Sequence, residues 1–134
     1  MTSGAFGNQP CAPLLNQPAS EATKNRFEAS VRIGTTSDNA QIGQHISVSP
    51  DSGNGGRMSY LRFEDQIDGV HVFFDDVTDA GPLGTVADFP ESDIAILSRA
   101  TSHRVQFVMD FVSGPANDVG EVFIDKKLVK TGPT

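Results

Sequence analysis

From residue 26 onward, apolar and polar positions alternate with a period of two, not the 3.6 of an amphipathic helix. Phe27, Ala29, Val31 and Ile33 alternate with Glu28, Ser30 and Arg32, the pattern of a strand with one wet face. Ile42, Ile46 and Val48 mark the next run, which Pro50 ends. Residues 51–56 then supply a loop, because Asp, Asn, Ser and Gly tolerate positive φ and turn geometry. Leu61 and Phe63 mark a strand over 57–64, and residues 66–69 read as a hairpin turn. Val70, Val72 and Phe74 share one face of the returning strand. Residues 78–92 are looser, with Gly81, Pro82, Gly84 and Pro90. Residues 94–97 are short and apolar, whereas Val105, Phe107, Met109 and Phe111 form the strongest alternation of all. After Gly114 and Pro115, residues 119–124 lead into a tight turn at Asp125 and Lys126, followed by Leu128 and Val129.

About eight or nine short strands with turn signals between them, and no convincing amphipathic helix, predict an all-β fold. Each alternating strand must bury one face, so the expected architecture is an antiparallel two-sheet β-sandwich. Jelly roll is preferred over an immunoglobulin-like sandwich. The chain lacks a cysteine pair and tryptophan, and it exceeds the roughly 100 residues typical of the latter. Residues 1–25 carry Pro10, Pro13 and Pro18, which predicts an extended, proline-rich N-terminal arm ahead of a sandwich domain over 26–134.

Composition narrows the function classes. The 134 residues fit one domain, and 10 Lys+Arg against 17 Asp+Glu leave a net charge of −7. An acidic balance of this kind argues against a nucleic-acid partner, which needs clustered cations. No apolar run approaches the ~18 residues of a spanning helix, so membrane insertion by a helix is not expected. Cys11 is the sole cysteine, which excludes an intrachain disulfide framework and a zinc ribbon. Residues 1–7 lack the cationic start and apolar core of a secretory signal. Both a cytoplasmic protein and a processed exported form stay open on that ground.

A family resemblance rests on residues 57–77 and 103–132. Its phrases are Arg57 to Asp65 (RMSYLRFED), Asp68 to Phe74 (DGVHVFF) and His103 to Phe111 (HRVQFVMDF). Then follow Gly114 to Asp118 (GPAND), Val122 to Asp125 (VFID), Leu128, Val129 and Gly132. Together they resemble the concanavalin A-like (laminin-G-like) lectin and glucanase jelly roll of bacterial cell-surface and secreted proteins. The resemblance implies that fold, and it implies an extracellular or cell-surface location. The chain departs from the pattern in two places. Asp125 and Lys126 stand where an Asp-Gly turn is usual, and similar proteins continue past the position of Gly132 with an aromatic, acidic segment. The expectation is that the closing C-terminal strand is absent, replaced by the N-terminal arm, or supplied by a neighbouring chain.

Glucanases of this fold place Glu-x-Asp-x-(x)-Glu on one strand, with carboxylates roughly 5–5.5 Å apart for retention. The nearest stretch here is Glu91, Ser92, Asp93, Ile94 and Ala95, without the acid/base glutamate. Glu64, Asp65 and Asp68 have the wrong spacing and read as solvated acids near a turn. His45, His71 and His103 are not spaced as metal ligands, and alternation places His71 on the wet face. Residues 64–93 nevertheless hold nine acids and no Lys or Arg, an oxygen-rich stretch of the kind calcium favours. Asp75, Asp76, Asp79 and Asp118 are the candidate calcium ligands. Asp51, Asn54, Arg57, Tyr60 and Asn117 are the candidate ligand-binding residues for a glycan. Lys126, Lys127 and Lys130 gather at the opposite end from the acids.

The favoured function is a non-catalytic binding or adhesion module of a cell-surface or extracellular bacterial protein, with a glycan or surface protein as partner. The second reading is a structural subunit that self-assembles into arrays or fibres by strand or head-to-tail contacts, as a homo-oligomer. An enzyme comes third, for want of a catalytic pair.

Overall fold

A computed structural model describes residues 25–49, 59–77, 90–113 and 117–133. The extended arm expected over 1–25 lies, apart from Asn25, outside the described residues. Eight strands follow in order: β1 (Arg26–Ile33), β2 (His45–Val48), β3 (Tyr60–Gln66), β4 (Gly69–Asp75), β5 (Glu91–Leu97), β6 (His103–Asp110), β7 (Val119–Ile124) and β8 (Lys127–Pro133). They form two antiparallel four-stranded sheets, ordered β1-β6-β7-β8 and β2-β3-β4-β5. The protein is all-β, a two-layer β-sandwich, as the alternation predicts. Strand bounds differ at a few ends. β2 begins at His45 and leaves Ile42 exposed, β5 begins at Glu91 and not at 94, and β8 runs on to Pro133.

The core lies between the sheets, and it is built from the inward positions of each alternation. Leu61 and Phe63 of β3, Val72 and Phe74 of β4, Phe107 and Met109 of β6 and Val122 of β7 are buried there. Phe107 is central, with edge-to-face contacts to Phe27 at 5.9 Å and to Phe74 at 6.0 Å between ring centroids. Each such side chain contributes about 1.5–3 kcal/mol by leaving water. β5 and β8 approach each other at one edge, so β2 and β1 share the other. At the β5–β8 edge, Lys130 reaches inward and sets its Nζ 5.4 Å from the Phe74 ring centre.

The register fixes which strand ends lie together. Gln66 pairs with Gly69, Val70 with Leu97, and the short link 98–102 carries the chain to His103 in the other sheet. One end of the sandwich therefore holds the β3–β4, β5–β6 and β7–β8 turns. Tyr60, Asp75, Glu91, Asp110 and Val119 occupy the other end.

The first end is closed by Asp65, whose place in the β3 alternation points it inward with Leu61 and Phe63. It is buried, contrary to the solvated turn acid expected from sequence. Arg99 donates to Asp65 Oδ1 through Nη2 at 2.6 Å and Nε at 3.0 Å, and the Gln41 amide donates to Oδ2 at 2.9 Å. Arg99 also donates to the carbonyls of Ile67 and Gly69, each at 3.3 Å. One carboxylate thus ties three connecting segments together, and hydrogen bonding from Arg99 lowers its pKa.

The β7–β8 turn confirms the uncomfortable geometry implied by Asp125 and Lys126. Their φ angles are 49° and 73°, the mirror-image turn that glycine usually serves. Asp125 is compensated, because its Oδ1 accepts from the Arg104 amide at 2.9 Å and its Oδ2 meets His103 Nδ1 at 2.7 Å. No contact of that kind is seen for Lys126 among the described residues. Lys126→Gly should raise stability by about 1 kcal/mol by relieving left-handed backbone strain, a rise of about 5 °C in the thermal midpoint. Asp65→Ala should cost about 3 kcal/mol in urea unfolding, because it leaves Arg99 without its buried counter-charge. A loss below about 1 kcal/mol would mean that Asp65 behaves as a surface acid.

Candidate functional site

The outer face of the β2-β3-β4-β5 sheet gathers charges that sequence reading had scattered. Tyr60, Arg62, Glu64 and Gln66 of β3 point outward, since Leu61, Phe63 and Asp65 point in. β4 differs from every other strand because it is buried on both faces. Its outward residues His71, Phe73 and Asp75 are therefore shielded from water, and each needs a partner there.

Arg62 is the centre of the first cluster. It sits across from Phe73 in register, with its guanidinium carbon 4.4 Å from the ring centre. It hydrogen-bonds the carboxylates of Glu64 and Glu91, and its Nε lies 3.4 Å from Asp75 Oδ2. Burial opposes the Arg62 charge, but Asp75, Glu91 and Glu64 outweigh it and raise the pKa. Asp75 is only 4% exposed, and its Oδ2 has no hydrogen-bond partner. Burial pushes its carboxyl above the ordinary aspartate value, against the pull of Arg62, and neighbouring Glu91 adds to the rise. Asp75 and Glu91 face each other directly across β4 and β5. This is a cross-strand acid pair, which a search along single strands cannot find.

His71 is the centre of the second cluster. Its Nδ1 lies 2.6 Å from Asp93 Oδ2 and its Nε2 lies 2.8 Å from Asp68 Oδ1. Two carboxylates at the two ring nitrogens require both nitrogens to donate, which only the imidazolium does. Hydrogen bonding to Asp68, then to Asp93, raises the His71 pKa in spite of its burial. In return, the Asp68 carboxyl is lowered. The side chain also stacks on Phe73, with ring centres 5.9 Å apart. Alternation places His71 on the outer face as expected, but that face is covered at β4. It is 7% exposed, not a wet-face histidine.

The proposed site residues fall as follows. Asp51, Asn54, Arg57 and Asp79 lie outside the described residues. Tyr60 and Asp75 are register partners, and Asp76 follows directly. Asp76 Oδ1 accepts from Ser59 Oγ at 2.9 Å, and Ser59 Oγ in turn accepts from the Val77 amide at 2.9 Å. Asn117 Nδ2 donates to the Ser113 carbonyl at 2.7 Å, while its Oδ1 is buried without a partner. Asp118 Oδ1 accepts from the Val112 amide at 2.8 Å. Tyr60, Asp75, Asp76, Asn117 and Asp118 thus share one end of the sandwich, on different sheets.

As a calcium site the described acids do not fit. The Arg62 guanidinium already occupies the space beside Asp75, and a cation there repels a second one. Among the described residues, no group of three or more His, Cys, Asp or Glu side chains is placed to hold a metal ion. Compared with known proteins, the chain matches no family model, no curated protein and no solved structure.

The His71 cluster makes a signed prediction. A folded-state pKa raised above the ordinary histidine value of 6.5 contributes stability that is fully present below the unfolded pKa. That contribution is lost as pH rises through the folded value. The urea midpoint of the protein should fall as pH rises above about 6.5, and His71→Gln should flatten that fall. An identical slope in the variant would place the pH dependence elsewhere.

Proposed function

We propose that the sandwich is a concanavalin A-like jelly roll serving as a non-catalytic binding module of a cell-surface or extracellular bacterial protein, with a glycan as ligand. The observation that carries it is the fixed polar array at the Asp75 end of the outer β2–β5 face. Arg62 holds Glu64 and Glu91 in place, and the exposed half of Glu91 keeps lone pairs turned to solvent. Carboxylates immobilised in this way accept hydrogen bonds from paired hydroxyls without losing much side-chain entropy on binding. Tyr60 stands at the same end and supplies an aromatic surface beside them.

A hydrolytic role is disfavoured by the same array. A general acid must reach the glycosidic oxygen, and Asp75, the carboxyl with the raised pKa, is shut in beneath Arg62. Glu91, which faces solvent, is committed to an arginine. The acid pair is a structural device.

A glycan array followed by calorimetry on the best hit provides the test. Glu91→Gln and Tyr60→Ala should each weaken binding about tenfold with no change in circular dichroism, as expected for losing one charge-assisted hydrogen bond or one aromatic contact. No binding to any glycan, or binding indifferent to both changes, overturns the proposal. Release of reducing ends from a bound polysaccharide would instead establish an enzyme.

A further inference from the structure

The four sheet edges are not equally protected. β8 carries the inward-pointing Lys130 and a register shift at Val122/Phe123. β5 carries the acids Glu91 and Asp93 and a register shift against β4 at Val72/Phe73. β2 is only four residues long. These are recognised ways of discouraging edge-to-edge pairing. β1 carries charges as well, Arg26, Glu28 and Arg32, but all on its exposed outer positions, and it has no inward-pointing charge, register shift or truncation. It is eight residues long, contains no proline, lysine or bulge, and keeps continuous register with β6 from Arg26 to Ile33. Among the described residues it pairs with β6 alone.

Its inward side chains are also incompletely covered. Phe27, Ala29, Val31 and Ile33 are half-buried, whereas the inward residues of β3 and β6 are buried. The cause is local: the strand at the same edge of the other sheet is the short β2. An eight-residue edge faces a four-residue one, and an apolar rim is left over.

We propose that β1 is a homodimer interface, in which β1 of a second copy adds antiparallel across a two-fold axis through Ser30. Only an axis through a residue keeps paired side chains on one face and so sets both sandwiches on the same side of the joined sheet. Centred on Ser30, Glu28 falls opposite Arg32 of the second copy, twice by symmetry, on the outer face. Phe27 falls opposite Ile33 and Ala29 opposite Val31, on the apolar face. Shifting the axis to Ala29 sets Arg26 against Arg32, and shifting it to Val31 removes the partner of Glu28. The β1 sequence is thus self-complementary in one long register. Glu28 and Arg32 are exposed in the single chain, where Glu28 accepts from Gln106 Nε2 at 2.7 Å and Arg32 donates to Ser102 Oγ at 3.4 Å. Both side chains can reach outward without uncovering the core. The contact is isologous, so it closes at two copies and produces a continuous eight-stranded sheet, not a fibre.

Sedimentation equilibrium of the full chain tests it. The wild type should behave as a species of twice the 14.3 kDa chain mass at high concentration and dissociate on dilution. Glu28→Arg and Arg32→Glu should each raise the dissociation constant at least about tenfold, because like charges then face each other twice. The combined Glu28→Arg, Arg32→Glu protein, with the charges exchanged, should return to within about threefold of wild type. Circular dichroism of each variant verifies that the monomer is folded. A wild type that stays monomeric at about 0.5 mM overturns the proposal. So does a dimer that ignores the single reversals, or one that the exchange fails to restore.

Discussion

β4 is buried on both faces, and the rest of the outer sheet is arranged to make that tolerable. Val70, Val72 and Phe74 on its inner side join the core at no electrostatic cost. The outer side carries His71 and Asp75 into the same poor solvent, where an unpaired charge would cost several kcal/mol. Partners come from both neighbouring strands, Arg62 and Glu64 from β3 and Glu91 and Asp93 from β5. Gly69 serves the same strand by its size. A Cβ there would lie 2.4 Å from Ile96 Cγ2 and 2.8 Å from the Leu97 carbonyl oxygen, so only glycine lets β5 approach this closely. The described acids of residues 64–93 are thereby explained as counter-charges and turn ligands more than as a soluble coat.

The two ends of the sandwich divide the remaining work. At the Asp65 end, Arg99 and Asp65 bind three connections to one another, and Asp125 does the same for the β7–β8 turn through His103 and Arg104. Hydrogen bonding from His103 and from the Arg104 amide lowers the Asp125 pKa. The connections at that end are thereby cross-linked to one another and to the strands. At the Asp75 end Arg62 gathers Glu64, Asp75 and Glu91 on the outer face, and Arg26 holds Asp110 on the other sheet.

Period-two alternation made the strands legible from sequence, and Phe27, Leu61, Phe74 and Phe107 all lie on the side it assigns them. What alternation cannot report is how well the opposite face is covered. Alternation puts His71 on the right face of β4, yet the covering of that face depends on residues such as Arg62 and Glu91, which meet Asp75 only through strand register, and a one-dimensional pattern carries no such pairing. Asp65 illustrates the reverse error: an acid next to a turn reads as solvated unless the distant Arg99 is known to reach it. The Asp75–Glu91 pair escaped for the same reason, since its members are adjacent only through register. Asp125 and Lys126 were readable because turn strain is a local property of two residues.

Charge distribution connects the outer face to the β1 edge. The −7 of the chain is carried unevenly, with Glu64, Asp65, Asp75, Glu91 and Asp93 on the β2–β5 sheet against Arg62 and the His71 imidazolium. The other sheet holds Arg26, Arg32, Arg104, Lys127 and Lys130 against Glu28, Asp110 and Glu121, a slight positive excess. Arg26 is further neutralised locally by a two-pronged contact to Asp110 at 2.8 and 3.0 Å. Two copies joined through β1 would therefore meet along the sheet that lacks the negative charge, and the acidic faces would lie side by side without facing each other. Net repulsion between copies, screened over about 8 Å at physiological salt, then falls mostly on surfaces that do not touch. An acidic protein can pair through such an edge because its charge was segregated to one sheet by the demands of β4.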